Sequence, residues 1–269
     1  MDRVPIRFIE EVVLQLVDNY CFMDREYPSI WGRVASKLTR KKAYLHLYLK
    51  SKEQAYFYVD DYDRKQVELD RIGQFIIVNI KVEDKKNKGW DIFNPPKFHP
   101  LTKKNFQLLQ NLIRKPFPCF LGFDFQTDPI HPLVQRLCLA IPRVVKLYFN
   151  SQVPLSMDIL TRSIERGTLS DLSCHTDVTK ETLPVLLRFM ASEKMNELMV
   201  FRSRGCSQSV SYETLFDAVV DAILNKERGC HIQVDERCRN LCGRLKTMRG
   251  KFSVNFRYVD DCIFVRSRK

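Results

Sequence analysis

The chain has 269 residues, 45% apolar and 28% charged, which is enough to bury a sizeable core and excludes a disordered tail. Nine glycines against twelve prolines argue against Gly-rich phosphate loops and flexible linkers, and no apolar run approaches the length of a membrane span. A net charge of +12 leaves an acidic protein surface or a nucleic acid as conceivable partners, with a merely solvated basic face as the favoured alternative, because no aromatic residues interleave with the basic clusters.

The first predicted element is a helix from Pro5, with Ile9, Val12, Val13 and Leu16 on one face. After a polar break at Asp24-Arg25-Glu26, a second helical segment carries Trp31 and Val34 to Leu38. Alternating runs at Tyr44–Leu49, Ala55–Val59 and Phe75–Val82 predict three strands.

From about Leu101 a pattern recurs in which a helix-period segment is followed by a short strand. Thr102 is placed to cap a helix carrying Phe106, Leu109, Leu112 and Ile113, followed by a strand at Cys119–Phe123. Asp128-Pro129 is expected to open the next helix, which ends before Pro142 and leads to the strand Val144–Phe149. Ser156 is expected to precede a third helix that stops at Gly167, with Leu169–Cys174 as its strand. A fourth helix begins near Thr182 and leads to Leu198–Phe201, and a fifth opens at Ser211 and leads to Cys230–Val234. Asp235 is expected to cap a sixth, with Phe252–Phe256 as the last strand.

Strand centres at Leu121, Leu147, Leu172, Val200, Ile232 and Val254 are 26, 25, 28, 32 and 22 residues apart, around the leucine-rich-repeat range. The expected fold is therefore α/β, a leucine-rich-repeat-like solenoid of helix-strand units over residues 44–269, clearest from about 101. Residues 1–43 form a small helical segment ahead of it. The rival is a doubly wound sheet, whose ligand sites typically carry glycines that are not seen here.

Val4-Pro5, Phe8-Ile9, Val12-Val13 and Leu16, followed by Trp31 and Val34 to Leu38, resemble a degenerate F-box. The Met-Asp-x-Val-Pro opening ahead of a repeat-like region is similar to the expanded nematode F-box-like proteins. The resemblance implies a substrate receptor of an SCF-type ubiquitin ligase. Pro5, Ile9, Val13 and Leu16 would dock on a Skp-type adaptor, Trp31 would pack the module, and the repeat surface would select a protein target. The usual leucine-rich middle is replaced by Asn19-Tyr20-Cys21-Phe22-Met23-Asp24. The alternative is that residues 4–38 simply cover the end of the solenoid.

Chemistry-bearing motifs are few. Tyr258-Val259-Asp260-Asp261 looks like the metal-holding hairpin of reverse transcriptases, but only four residues follow Val265 where a thumb would be needed. Tyr58-Val59-Asp60-Asp61 repeats the string at another strand end, which favours ordinary turn chemistry. Cys230, His231, Cys238 and Cys242 are conceivable zinc ligands, although Cys238 and Cys242 fall on an apolar helical stripe with Leu241 and Leu245. His46, His99, His131, His175 and His231 accompany no Gly-x-Ser-x-Gly elbow. The expectation is a protein-binding scaffold with no catalytic residues, cofactor or metal. Its nine scattered cysteines suit the reducing cytoplasm or nucleus.

Overall fold

A computed structural model describes residues 4–16, 29–39, 41–84, 97–115, 117–125, 130–150, 154–175, 178–200, 210–224, 231–235, 252–257 and 262–267. The chain divides into two compact units, Met1–Val145 and Lys146–Lys269. It is mixed α/β. Among the described residues no helix is long and apolar enough to cross a membrane.

In the first unit, helices α1 (Ile6–Leu16) and α2 (Ser29–Thr39) pack together ahead of strands β1 (Lys42–Leu49), β2 (Ala55–Asp61) and β3 (Ile76–Glu83). The short β4 (His99–Pro100), helix α3 (Lys103–Ile113), β5 (Cys119–Asp124) and α4 (Pro132–Ala140) follow. The strands lie side by side in the order β4-β2-β1-β3-β5. β1 and β2 form an antiparallel hairpin, whereas β1, β3 and β5 run parallel.

Burial on β1 alternates strictly, with Ala43, Leu45, Leu47 and Leu49 inside and Lys42, Tyr44, His46 and Tyr48 half-buried. That alternation marks a sheet with one covered face. Register places Leu45 and Leu47 beside Ile80 and Val82 of β3, and these beside Leu121 and Phe123 of β5. The core beneath them includes Phe106, Leu109, Val134 and Leu137 from α3 and α4. Thr102 caps α3 as expected, its side chain accepting from the Asn105 amide. α4 differs from the Asp128-Pro129 expectation. It starts at Pro132, with the His131 ring accepting from the Leu133 amide. Pro132 takes the first-turn position, where a missing N–H costs nothing.

In the second unit, β6 (Val144–Phe149) from Lys146 onward, β7 (Asp171–Cys174), β8 (Glu197–Val200) and β9 (His231–Asp235) run parallel and adjacent in chain order. They are joined by α5 (Pro154–Glu165), α6 (Thr182–Ala191) and α7 (Tyr212–Leu224). Strands that step in one direction through right-handed crossovers put every joining helix on the same face, and α5–α6 and α6–α7 are indeed neighbours. Leu147, Leu172, Leu198 and Ile232 form one rung across the strands. The centre of β8 is thus Leu198, two residues before the expected Val200. α5 begins at Pro154, so Ser156 lies inside its first turn. Gly167 ends the helix with φ +62, the left-handed value expected of it.

The expected sixth unit is replaced by different pairing. Between β9 and β10 (Phe252–Arg257) lies β11 (Cys262–Ser267), antiparallel to both. A hairpin therefore closes this side in place of a further parallel strand. Asp235 is the last residue of β9, and the stretch expected to be the sixth helix lies outside the described residues.

Candidate binding surface

The face of the first unit that the helices leave open is read directly from strand register. Tyr44, His46 and Tyr48 of β1 stand opposite Asp60, Tyr58 and Tyr56 of β2 on one side. On the other side they stand opposite Asn79, Lys81 and Glu83 of β3. Period-2 alternation puts all nine on one surface, because each lies across from a half-buried position of β1.

A network organises one end of this surface. His46 Nε2 lies 3.1 Å from Asp60 Oδ1, and Arg64 approaches Asp60 Oδ2 at 3.6 Å. Arg64 has a left-handed φ of 63, which turns its guanidinium back over the Tyr44 ring at 4.6 Å. The His46 and Tyr58 rings stack at 4.3 Å, and Phe98 meets Tyr58 edge-on and also leans on Tyr48. Asp60 is 7% exposed, so its charge is carried by these partners rather than by water. Burial, together with the charges of Asp60 and Glu83, raises the Tyr58 hydroxyl pKa above the usual tyrosine range. Near the middle of the surface, Asn79 Oδ1 is buried without a hydrogen-bond partner.

The turn after β2 accounts for the first Tyr-Val-Asp-Asp string. Asp61 Oδ1 accepts from the amides of Asp63 and Lys65, an Asx-type turn. Asp60 and Asp61 thus do separate structural work. The second string, at 258–261, lies outside the described residues, but Arg257 and Cys262 on either side of it are paired antiparallel.

The second unit presents a comparable row. Lys146, Asp171, Glu197 and His231 occupy one rung, and Tyr148, Ser173, Met199 and Gln233 the next. Asp171 is held by Lys146 Nζ at 3.6 Å, by Asn196 Nδ2 at 3.1 Å and by the Ser170 hydroxyl. His175 Nε2 is 3.2 Å from Ser173 Oγ, and its ring lies against Tyr148. His175 is therefore tied into this row, while Asp177 lies outside the described residues.

The five residues expected to serve the adaptor divide. Ile9 is 0% and Val13 7% exposed, and with Val34 and Ile76 they form a hydrophobic cluster that Trp31, Val78 and Phe117 border. Both therefore hold α1 against its own sheet. Trp31 is partly buried against this cluster. Pro5 is exposed at the start of α1, and the Leu16 side chain lies outside the described residues. Among the described side chains of α1, the large apolar ones exposed are Ile6, at 55%, and Phe8, at 56%. Helical periodicity alone could not tell these from the buried face, because Phe8 adjoins Ile9.

Of the zinc candidates, Cys230, Cys238 and Cys242 lie outside the described residues, and among those described no group of His, Cys, Asp and Glu is placed to hold a metal. The His46–Asp60 pair has the geometry of a base with its orienting carboxylate. Asp60 is nevertheless the only hydrogen-bond partner of the His46 ring among the described residues, and no hydroxyl or thiol is bonded to it there. What the surface offers is planar rings and one fixed carboxylate network, a composition suited to recognition. Comparison with protein-family models, curated proteins and solved structures finds no match for the chain.

Proposed function

We propose that the chain is a protein-binding scaffold of the cytoplasm or nucleus and, in its most specific form, a substrate receptor for an SCF-type ubiquitin ligase. The one-sided burial of the strands carries the binding reading. One face is sealed by helices, and the other presents the half-buried Tyr44, His46 and Tyr48 on rigid strands, with the buried Tyr58 ring stacked behind His46. Tyrosine-rich surfaces of this kind give large contact area at small entropic cost, which favours a protein target. Adjacent parallel strands in chain order, each returned by a helix, support a leucine-rich-repeat-like stack for the part from β6 to β9.

The adaptor reading rests on the sequence resemblance and on exposed Ile6 and Phe8. In this reading Ile9, Val13 and Trp31 anchor the module, and Ile6 and Phe8, beside Pro5, meet the Skp-type adaptor. The test is co-purification of the full chain with that adaptor. Ile6→Asp with Phe8→Asp should abolish it while the circular dichroism spectrum and urea midpoint stay unchanged. Ile9→Asp should instead lower the midpoint, since it buries a charge. No recovery of adaptor with the wild-type chain would sink the adaptor reading and leave the scaffold reading to be tested by cross-linking from Tyr48.

A further inference from the structure

The helical side of the first unit carries its own charge pattern. On α3 and the two residues after it, the exposed positions are Lys103, Lys104, Gln107, Asn111, Arg114 and Lys115. At 100° per residue they fall within a sector of about 120°, and Lys104 and Arg114 are separated by about 15 Å along the axis. Arg136 of the neighbouring α4, its guanidinium 4.9 Å from the Phe106 ring, adds a fifth cation beside the row. Neither helix contains an aspartate or glutamate. None of the five cations enters an ion pair among the described residues.

By contrast, the helices of the second unit mix their charges. Arg188 of α6 pairs with Glu165 of α5 at 3.7 Å, and α7 carries Glu213, Asp217 and Asp221. The surplus that makes the whole chain basic is thus gathered, in part, on one surface whose cations are unpaired among the described residues.

We infer that the α3–α4 face binds the phosphate backbone of a nucleic acid. The choice over an acidic protein comes from what the face lacks. A protein interface is built round apolar or aromatic anchors, and no large hydrophobic side chain is exposed on α3 or α4. Phosphates need only cations and hydrogen-bond donors, and Gln107 and Asn111 place donors between the two ends of the row. The absence of exposed rings on this face makes the contact one of backbone rather than of stacked bases. This inference is independent of the adaptor reading.

The experiment uses the full chain and fluorescence anisotropy with a labelled duplex DNA and a labelled RNA strand of mixed sequence, and poly-glutamate as the acidic-polypeptide comparison. Wild-type protein should bind at least one nucleic acid, with log K falling linearly against log salt at a slope of about −3 to −4.5 for four or five phosphates. The variant Lys103→Gln, Lys104→Gln, Arg114→Gln, Lys115→Gln should weaken binding at least tenfold at low salt and flatten that slope by about 3. A charge-matched variant, Lys50→Gln, Lys52→Gln, Arg162→Gln, Lys194→Gln, should bind nearly as wild type. All eight sites are exposed, and unchanged thermal melting verifies the fold of both variants. Equal losses in the two variants would reduce the effect to net charge and overturn the inference. So would absence of nucleic-acid binding at low salt, or tighter binding of poly-glutamate, which would assign the face to an acidic protein.

Discussion

Asp60 is the one buried charged side chain among the described residues, and its two oxygens are divided between His46 and Arg64. Removing it leaves His46 Nε2 without a partner and frees Arg64 from its hold over Tyr44. Asp60→Ala should therefore cost about 1–3 kcal/mol in urea unfolding, whereas a typical exposed substitution such as Lys65→Ala should stay within about 0.5 kcal/mol. Tyr58 gives a second check. Because the folded chain holds its phenolic proton more tightly than the unfolded chain does, stability should decline as pH climbs past about 10, the ordinary tyrosine value. The loss continues until the folded hydroxyl itself ionises. Tyr58→Phe should remove that part of the decline, and absorbance titration at alkaline pH should then lack one late-ionising tyrosine. None of this network was legible beforehand. Tyr58-Val59-Asp60-Asp61 announced a turn, but the partnership of Asp60 with a histidine fourteen residues earlier depends on hairpin register.

At the level of elements the sequence was most informative where a local rule has a sharp signature. Thr102, Ser211 and Gly167 each sit where capping chemistry places them. Gly167→Ala should destabilise by about 1 kcal/mol through its backbone alone, since no atom lies within 4 Å of the added carbon. A melting temperature unchanged by that substitution would refute the strain account. A cap-and-proline pair is a less exact guide. Asp128-Pro129 is the expected start of the second helix, but the proline three residues later, Pro132, with His131 as cap, is the one used. The start of α6 was placed correctly, yet its capping is done by Thr179 and Thr182, which exchange hydrogen bonds between hydroxyl and amide. For the adaptor residues, a 3.6 period identified an apolar stripe but not whether its cover was another protein or the chain's own β3.

On the scale of the whole chain, the alternation of helix and strand was legible and the pairing of its ends was not. Strand order depends on contacts between distant segments, so Phe252–Phe256 could be recognised as a strand without revealing that β11 intervenes between it and β9. Buried thiols offer a way to follow each unit. Cys119 and Cys138 in the first unit are fully enclosed, and burial pushes the Cys138 thiol up to about 12. Cys174 is buried in the second. In native buffer at pH 8, mass spectrometry should find all three unmodified by an alkylating reagent, with labelling appearing only as the corresponding unit unfolds in urea. Rapid native modification of Cys138 would contradict the packing described.

The outer edge of β2 is occupied along its length. Val67 donates to Val59, Asp61 donates to the Lys65 carbonyl, and β4 pairs with Tyr56 and Phe57. The Gln66 amide, bonded both ways to the Lys97 backbone, ties the returning strand to that turn much as a backbone bridge would. With its edge so occupied, β2 cannot itself take another strand, whether from an aggregating neighbour or from a tandem copy of its own hairpin. Lengthening by internal duplication would therefore be admissible only away from β2, which gives this architecture a direction of growth.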